Sequence, residues 1–351
     1  MDTKKNLLDL TLDDLREFIR SLGEPAYRAD QVFQWLWQKG CRDFAEMTNI
    51  SKAFREKLAE ASFIGWPDIE KTAVSSDGTV KFLLRYADGE LVETVLIPEE
   101  GHTTQCLSSQ VGCPMACTFC STGQMGLTRN MTMGEILGQV LVAREYIAAH
   151  EDDVAPLRNI VFMGMGDPLL NVTEMVRALT TMTHDKGLGF SSRRITVSSV
   201  GILKGLEVLG DCGLAQLAIS LHAPTQELRE QLMPKAARQL PLDQLMAVLD
   251  RYPLKPRERV TYEYILLRGV NDRPEHARQL VKLLGGRKAK VNLIAYNPSP
   301  GAPYKAPHPD DILAFEKILW AKGLTAILRK SKGQDIAAAC GQLKAKHISE
   351  S

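Results

Sequence analysis

The chain has 351 residues, of which 44% are hydrophobic and 24% charged, and its formal net charge is +1. This composition is typical of a globular protein and excludes a disordered, collagen-like or strongly acidic or basic chain. No apolar run resembles a signal peptide, and no window approaches a membrane span. We therefore expect a cytoplasmic protein without a membrane partner, whose seven cysteines serve metal binding or catalysis.

Residues 1–65 predict a small helical module. Thr11 precedes Leu12 as an N-cap residue does, and the apolar residues between Val32 and Trp37 recur at helical spacing. We interpret the aromatic side chains of this module as core residues rather than as stacking platforms for nucleic-acid bases. We expect the module and the domain that follows it to have separate apolar cores.

Residues 66–104 predict a short antiparallel sheet. Asp-Gly pairs at 77–78 and 88–89 bracket the apolar run 79–86, and a second apolar run covers 91–97. Asp-Gly between apolar runs is a strong hairpin signal. This sheet leads into the cysteine-rich region.

Residues 105–330 alternate short apolar runs with helical patterns. The candidate strands cover residues 106–111, 159–163, 194–198, 217–221, 260–267 and 291–296. Repeated β/α units predict an α/β fold with a parallel barrel, complete or open. Because ligands bind at the carboxyl ends of the strands in such barrels, we look for the site in the loops that follow them.

Cys113, Cys117 and Cys120 form a C-x3-C-x2-C run, the most specific pattern in the chain. Cysteine thiolates hold iron–sulfur clusters, and three ligands leave one iron of a cubane free for a cofactor or substrate. Two alternatives stay open, namely a zinc site with a distant fourth ligand and three unrelated core thiols. The sequence has no second C-x2-C or H-x3-H pair for zinc, which favours the cluster.

Several loops after the candidate strands carry glycine or short polar side chains. Gly166 and Asp167 close a G-M-G-D turn, where a backbone can approach a ligand closely. Polar side chains also end or follow other strands: Ser198, Ser220, His222 and Asn297. Each of them is equally a satisfied turn residue when taken alone. Their shared position at one edge predicts contacts with ribose hydroxyls or adenine edges.

Cys340 lies among small residues in a C-terminal loop, residues 331–351, where a thiol is accessible as a reactive cysteine requires. Cys106, upstream of the cysteine triad, is its natural partner. The alternative for both is a small buried hydrophobe. We keep that interpretation for Cys41 and Cys212, which have no motif around them.

Charge is unevenly distributed along the chain. Residues 229–290 contain 14 Lys and Arg against 7 Asp and Glu, a local excess of +7. This segment is therefore a candidate phosphate-facing surface. The alternative is a solvated face of mixed charges.

These motifs form one set that extends over nearly the whole chain. It comprises residues 27–31, 46–51, 106–113, 120–123, 163–171, 220–224, 271–272, 296–301 and 338–343. The set resembles the dual-specificity 23S rRNA and tRNA adenine-C2 methyltransferases of the radical S-adenosylmethionine (SAM) class. The antibiotic-resistance C8 methyltransferases are near relatives of that family.

The resemblance implies a partial (β/α)6 radical SAM barrel in residues 105–330, preceded by an RNA-binding-type helical module and a β-hairpin extension. It implies a [4Fe-4S] cluster held by Cys113, Cys117 and Cys120. It implies SAM contacts from Gly166, Asp167, Ser198, Ser220, Leu221, His222 and Asn297. It assigns Cys340 as the thiol that is methylated in turnover, Cys106 as its resolving partner and Glu93 as the proton acceptor.

The implied chemistry is a radical route, because carbon 2 of adenine is electron-poor and does not attack the methyl group of SAM as a nucleophile. In the family's mechanism one SAM methylates Cys340, and a 5′-deoxyadenosyl radical from a second SAM activates that methyl group. Cys106 then releases the product by forming a disulfide with Cys340, which a thiol reductant restores. The implied partners are 23S rRNA and tRNA, with a flavodoxin- or ferredoxin-type electron donor, and the chain is expected to be a monomer.

Two motifs depart from the family pattern. Asp167 stands where the family usually has Glu, and Ser199 begins Ser-Val-Gly where Thr-Ser-Gly is commoner. Pro168, where the C8 enzymes tend to carry Ala, favours C2 methylation. A different class of function is a non-catalytic RNA-binding iron–sulfur sensor, which has no use for a Cys106–Cys340 pair.

Overall fold

The computed structural model describes residues 4–298 and 302–345, so part of the 296–301 motif, Ser299-Pro300-Gly301, lies outside the described residues. The strands are β1 (Lys5–Asn6), β2 (Ser62–Phe63), β3 (Asp68–Val74), β4 (Val80–Arg85), β5 (Leu91–Glu99), β6 (His102–Cys106), β7 (Gln110–Cys113), β8 (Gly126–Asn130), β9 (Leu157–Phe162), β10 (Ile195–Ser199), β11 (Gln216–Ser220), β12 (Val260–Leu266), β13 (Ala289–Ala295) and β14 (Ala326–Arg329). The helices are α1 (Leu12–Ser21), α2 (Arg28–Trp37), α3 (Lys52–Ala61), α4 (Met133–Ala149), α5 (Val172–Thr183), α6 (Leu203–Cys212), α7 (Gln226–Leu232), α8 (Pro234–Gln239), α9 (Leu242–Leu249), α10 (Pro274–Leu284) and α11 (Pro309–Ala321).

One ten-stranded sheet carries the fold, in the order β14-β13-β12-β11-β10-β9-β6-β5-β4-β3. Strands β6 and β9 to β14 are parallel to their barrel neighbours, and β3, β4 and β5 form the predicted antiparallel extension. The predicted α/β fold is therefore confirmed, and its parallel part has seven strands, of which six were predicted. Strand β14 was not predicted, because its four residues are too short for a periodicity signal.

The first barrel strand is displaced from its predicted position at residues 106–111. Strand β6 ends at Cys106, and the chain then leaves the sheet to form β7, which pairs antiparallel with β8. Gly112 allows this hairpin, because it has φ +76° and a Cβ there would lie 2.0 Å from the Gly126 carbonyl oxygen. The prediction merged two strands that belong to different sheets.

The register of the large sheet places the polar groups of seven strands on one surface, which we call the inner face. Paired residues of neighbouring strands share a face, and alternate residues of one strand do too. The chain of pairings runs Lys81↔Val95↔Cys106↔Val161 on one side of the sheet. The inner face therefore carries Lys81, Glu93, Cys106, Ser198, Ser220, Glu263 and Arg329.

The N-terminal module packs against the helices outside the barrel. Thr11 caps α1 in a capping box with Asp14, as predicted. Asp9 accepts a hydrogen bond from the Gly134 N–H at the start of α4, and Arg177 of α5 bonds Asp14 at 2.8 Å. The expectation of separate cores is wrong, because one continuous set of buried side chains runs from Leu7 through the barrel to Ala345.

The basic segment is divided between the two edges of the sheet. Lys235 donates to the Pro114 carbonyl, next to the three cysteines, whereas a second group lies at the edge away from the predicted site. Lys255, Arg257 and Arg259 precede β12, and Lys288 precedes β13, so they flank the amino ends of these strands. A strand of seven residues separates the two edges by roughly 20 Å. These side chains are not positioned to hold nucleotides around a base that enters at the carboxyl ends. None of the helices in residues 4–298 and 302–345 is long and apolar enough to cross a membrane.

Candidate active site

A cavity of about 840 Å³, including its open mouth, lies at the carboxyl ends of the barrel strands. We call it the barrel cavity. Nine of the predicted site residues line it: Cys113, Cys117, Cys120, Gly166, Asp167, Ser198, Ser220, His222 and Cys340. Four others lie outside its lining: Glu93, Cys106, Leu221 and Asn297. The barrel topology brings the loops of five strands to this one mouth, as the sequence predicted.

The loop with the three cysteines forms one wall of the barrel cavity. Its backbone is fixed by the Thr118 N–H, which donates to the Leu232 carbonyl at 3.0 Å, and its apolar side chains Met115 and Phe119 pack in a small core of their own. Burial raises the pKa of the Cys113 thiol to about 12 and that of Cys117 well above its usual range. A bound metal would reverse this preference, because its charge stabilises the thiolate.

The arrangement of donors does not favour the zinc alternative. Within the described ranges, no group of three or more His, Cys, Asp or Glu side chains is arranged to hold a metal ion. Thiolates of a zinc site converge to within about 4 Å of each other, since each lies ~2.3 Å from the metal. All three thiols line the barrel cavity, where an iron–sulfur cluster could be held.

The two departures from the family pattern contact each other. Asp167 accepts hydrogen bonds from the Ser199 hydroxyl at 3.0 Å, the Val200 N–H at 2.8 Å and the Leu169 N–H at 2.9 Å. Burial raises the pKa of Asp167 to about 6, although these hydrogen bonds favour the carboxylate. The shorter side chain thus caps its own turn and ties the ends of β9 and β10 together.

His222 is held in the left-handed region with φ +56°, where a non-glycine residue is strained. Its Nδ1 accepts a hydrogen bond from the Ile265 N–H at 3.1 Å, and its ring packs edge-on against Phe119. Burial lowers the pKa of His222 to about 3. The ring is therefore neutral, and Nε2 carries the proton as the only hydrogen-bond donor of the ring.

Because His222 is buried and neutral, we expect this residue to make the free energy of unfolding depend on pH in the acid range. The unfolded chain binds a proton at this ring below about pH 6.5, and the folded protein does so only below about pH 3. Between those values the unfolded state holds more protons, so the free energy of unfolding falls as pH is lowered, by up to about 1.4 kcal/mol per pH unit. The difference in free energy of unfolding between wild type and His222→Gln, measured in urea, should therefore become smaller as the pH is lowered from 7 to 5. A difference between wild type and His222→Gln that stays constant over this pH range would contradict a neutral buried ring.

Cys106 and Cys340 lie within electrostatic range of each other. Burial raises the pKa of Cys106 to about 12, a charge on Cys340 raises it further, and Arg329 lowers it. Burial also raises the pKa of Cys340, which Arg329 again lowers. Cys340 is an exposed residue whose thiol lies within the lining of the barrel cavity, whereas Cys106 is buried at the end of β6. Both are free thiols, so a disulfide between them is not present in this state.

The C-terminal segment, residues 331–345, is fixed across the inner face rather than loose as the sequence suggested. The Ser121 N–H donates to the Gly341 carbonyl at 2.8 Å, and the Thr122 hydroxyl donates to the Leu343 carbonyl at 2.6 Å. At its other end Asp335 accepts the Ser75 hydroxyl at 2.5 Å. These bonds hold Cys340 between the cysteine loop and the antiparallel extension.

Glu93 lies on the far side of that segment from the cysteine loop. Its Oε1 pairs with Lys81 Nζ at 2.8 Å, and its Oε2 accepts the Lys344 N–H at 2.8 Å. Lys81 Nζ also donates to the Ala337 carbonyl at 3.1 Å. Lys344 belongs to the C-terminal segment and Lys81 contacts it. Both carboxylate oxygens of Glu93 are therefore bonded to groups in this segment or in contact with it.

Two buried polar atoms near the cavity have no partner within the described protein. Glu263 Oε2 and Asn297 Nδ2 are unpaired, although Glu263 Oε1 accepts from Asn292 at 2.8 Å and Asn297 Oδ1 accepts from Gln334 at 2.7 Å. Unpaired buried groups are costly, so each is a place where a polar ligand would restore a hydrogen bond. Leu221, by contrast, is fully buried, and its N–H donates to the Glu263 carbonyl.

Sequence reasoning missed Lys81, Glu263 and Arg329. Each lies on the inner face. Burial raises the pKa of the Glu263 carboxyl, and the charge of Arg329 opposes that rise. A signal existed, because Lys81 and Glu263 are charged residues inside otherwise apolar strands, and charged residues are seldom buried unless paired. Arg329 gave no such signal, since the strand that places it was itself not predicted.

Two family models match the chain. A model described as "Ribosomal RNA large subunit methyltransferase N-terminal domain" matches residues 5–64, and one described as "Radical SAM superfamily" matches residues 107–281. The first match coincides with the helical module. The second begins after β6 and spans the cysteine loop and the loops that line the barrel cavity.

Curated relatives match over the full length of the chain. A protein of Nitratidesulfovibrio vulgaris (strain DSM 19637 / Miyazaki F), named dual-specificity RNA methyltransferase RlmN, is 61% identical, and the match covers 98% of this chain and 95% of the relative. A protein of the same name from Lawsonia intracellularis (strain PHE/MN1-00) is 54% identical over 99% of this chain and 98% of the relative. Among solved structures, a radical SAM methyltransferase from Sphaerobacter thermophilus superposes with a TM-score of 0.91 at 42% identity, covering 97% of this chain and all of the other.

Proposed function

This chain belongs to the RlmN family of dual-specificity RNA methyltransferases within the radical SAM superfamily, and we propose that it methylates carbon 2 of one adenosine in 23S rRNA and of one in the anticodon loop of tRNA. Membership makes it an enzyme that uses a [4Fe-4S] cluster and SAM and acts on RNA. The target atom and the two RNA substrates are the part that we propose.

The proposal assigns a role to each site residue. Cys113, Cys117 and Cys120 hold the cluster, whose electron splits SAM when both are bound. SAM is held by Gly166, Asp167, Ser198, Ser220, Leu221, His222 and Asn297. The support for these residues is uneven. Most of them line the barrel cavity, and Asn297 has an unpaired amide nitrogen. Leu221 is fully buried, and its backbone N–H and carbonyl are bonded to Glu263 and Ala223. The division into residues 1–65, 66–104, 105–330 and 331–351 is part of the same proposal.

The chain's own residues carry the methyl group from SAM to the base. The Cys340 thiolate accepts the methyl group, and the activated carbon on its sulfur then bonds to C2 of adenine. Glu93 takes the C2 proton on a carboxylate oxygen. The unpaired electron left by the radical addition would return to the bound cluster. The Cys106 thiolate then attacks the sulfur of Cys340, so the carbon–sulfur bond breaks as the sulfur–sulfur bond forms, and the released carbon takes up a proton to complete the methyl group. Arg329 stabilises both thiolates, since it lowers the pKa of each.

The observation that carries the proposal is the pairing of Cys106 with Cys340 beside the cysteine loop. An iron–sulfur sensor needs the loop but not two further thiols on the inner face that share one cation. The proposal also includes electron delivery by a flavodoxin- or ferredoxin-type protein and reduction of the Cys106–Cys340 pair by a thiol. It takes the enzyme to act as a monomer.

The test is the Cys340→Ala variant, assayed without oxygen with methyl-labelled SAM, a reductant and 23S rRNA lacking the modification. Wild type should form 5′-deoxyadenosine, label the Cys340 peptide and yield 2-methyladenosine. The variant should keep its cluster and bind SAM but transfer label to neither protein nor RNA. Labelled RNA from the variant would place the methyl carrier elsewhere, and 8-methyladenosine from wild type would replace C2 by C8.

A further inference from the structure

A second cavity opens at the amino ends of the barrel strands, on the edge of the sheet opposite the barrel cavity. It has a volume of about 1130 Å³, including its open mouth, and we call it the basal cavity. Gln216 at the start of β11 and the loop of residues 255–259 before β12 line it. Its lining also holds most of the charge at this edge, carried by Arg193, Lys255, Arg257, Arg259 and Lys290.

A neighbouring cavity extends this basic surface along the same edge. It has a volume of about 710 Å³, including its open mouth, and shares Arg259 with the basal cavity. We call the unpaired cations of the two cavities the amino-end stripe: Arg193, Lys255, Arg257, Arg259, Lys288, Lys290 and Lys322. The stripe begins before β10 and ends before β14, which are four strand spacings apart in the sheet. At about 4.8 Å for each spacing, it is roughly 19 Å long.

The positive charge of the stripe is not neutralised by the protein around it. In the part of the chain that the structure describes, Arg287 is the cation of these two cavities that forms an ion pair, with Asp250 at 2.7 Å. Glu258 is the acid in the lining of the basal cavity, and its carboxylate accepts the Lys255 N–H at 2.9 Å. A row of exposed, unpaired cations creates a positive potential that attracts a polyanion.

The loop across the basal cavity presents an arginine at a strained position. Arg257 has φ +69°, in the left-handed region where glycine or asparagine is tolerated better. Strained residues of this kind occur mainly at functional sites, because their cost has to be offset. The Arg257 side chain is exposed, so packing in the core does not account for an arginine at this position.

The length and the location of the stripe indicate which anion it suits. A single phosphate group needs one or two cations, whereas a nucleic-acid backbone is followed by a row of them. An acidic electron-transfer protein has to approach the cluster, and the three cysteines of the chain line the barrel cavity at the other edge. The surface at the amino ends therefore suits RNA rather than the electron donor.

We propose that the amino-end stripe is a second RNA-binding surface, which holds a segment of 23S rRNA remote from the target adenosine. The inference rests on the proposed function in one respect, because it takes 23S rRNA as a substrate. Since a strand of seven residues separates the stripe from the carboxyl ends by roughly 20 Å, the nucleotides next to the target do not reach it. A long, folded RNA reaches both edges of the sheet, and an isolated hairpin reaches one of them.

The test compares two RNAs on the cluster-loaded, full-length protein: a full-length 23S rRNA transcript and an isolated hairpin that carries the target adenosine. Binding of the Arg257→Asn, Lys288→Gln double variant is measured as a function of salt concentration. With 23S rRNA, the steepness of log K against log salt should fall by about 0.7 to 0.9 for each charge removed. With the hairpin it should stay at the wild-type value. Neither side chain forms a hydrogen bond or ion pair within residues 4–298 and 302–345, and melting temperature and iron content check each variant.

The matched control is the Arg278→Gln, Lys317→Gln double variant, which removes two exposed charges from the outer helices α10 and α11. It should keep the wild-type salt dependence with both RNAs. An unchanged slope for the stripe variant with 23S rRNA would overturn the inference, and so would an equal loss in the control or with the hairpin.

Two further results separate this inference from its alternatives. If the stripe variant binds 23S rRNA as wild type does but accepts electrons from a flavodoxin more slowly, the stripe binds an acidic protein and the inference fails. If wild type forms 2-methyladenosine in neither RNA, the proposed function fails, while the salt dependence still decides the role of the stripe.

Discussion

The Cys106→Ala variant is expected to accumulate a covalent adduct between Cys340 and its RNA substrate. Once the methyl-derived carbon of Cys340 is bonded to C2, release requires a thiolate that attacks the Cys340 sulfur. Cys106 is buried at the end of β6 and shares Arg329 with Cys340. The other thiol near Cys340 is Cys120, which we assign to the cluster. Removal of Cys106 therefore blocks release of the RNA from Cys340 and leaves the earlier steps of the reaction intact.

The adduct should reach stoichiometric amounts, and release of methylated RNA should fall to background. Intact-protein mass spectrometry after denaturation would show a mass shift that nuclease trims but does not remove. The control is Cys41→Ala, which deletes an equally buried thiol in the N-terminal module and should leave no adduct. The Cys106→Ala, Cys340→Ala double variant should show none either. Normal release of methylated RNA by Cys106→Ala would make Cys106 an ordinary core thiol.

The Cys117→Ala variant is expected to lose its iron–sulfur cluster completely while the protein remains folded. Cys117 is the middle ligand of the loop, and the cluster then lacks one of its three protein thiolates. The loop packs in a small separate set of apolar side chains around Met115 and Phe119, outside the continuous core. Its backbone bond from Thr118 to Leu232 does not involve the Cys117 side chain. The substitution is therefore expected to remove the cluster without unfolding the protein.

The measurement is the visible absorbance and iron content after anaerobic purification, together with the melting temperature. Cys113→Ala and Cys120→Ala should behave in the same way. Cys212→Ala is the matched control, because Cys212 lies at the end of α6, away from the cysteine loop, and its thiol donates to the Leu209 carbonyl. That control should keep the colour and iron of wild type. A full cubane spectrum in Cys117→Ala would contradict the ligand assignment.

The position of the basic segment changes where RNA contacts are expected. The local excess of +7 between residues 229 and 290 suggested a phosphate-binding surface. Arg229, which contributes to the excess, is fully buried and donates to the Leu240 and Val200 carbonyls. Lys255, Arg257 and Lys288 lie at the amino ends of the strands. A charge count along the chain has no information about which edge of a sheet each residue reaches.

The sequence by itself determined the features that depend on neighbouring residues. The capping box of Thr11, the Asp-Gly turns of the extension and the three-cysteine run are local patterns with local physical causes. Apolar runs separated by helical patterns also fixed the order of the barrel strands, and their carboxyl ends indicated where the site lies. The family resemblance assigned roles to residues in these same motifs.

Only the tertiary structure decided which of these groups share a surface and a chamber. Strand register placed Lys81, Glu263 and Arg329 on the inner face, because pairing between distant strands, rather than local propensity, sets which side chains point inward. Hydrogen bonds from Ser75 and Ser121 laid the C-terminal segment across that face, and so put Glu93 and Cys340 in different cavities. These contacts join residues more than two hundred positions apart. They leave no local pattern in a single sequence, because a contact between distant residues does not constrain the residues next to either partner.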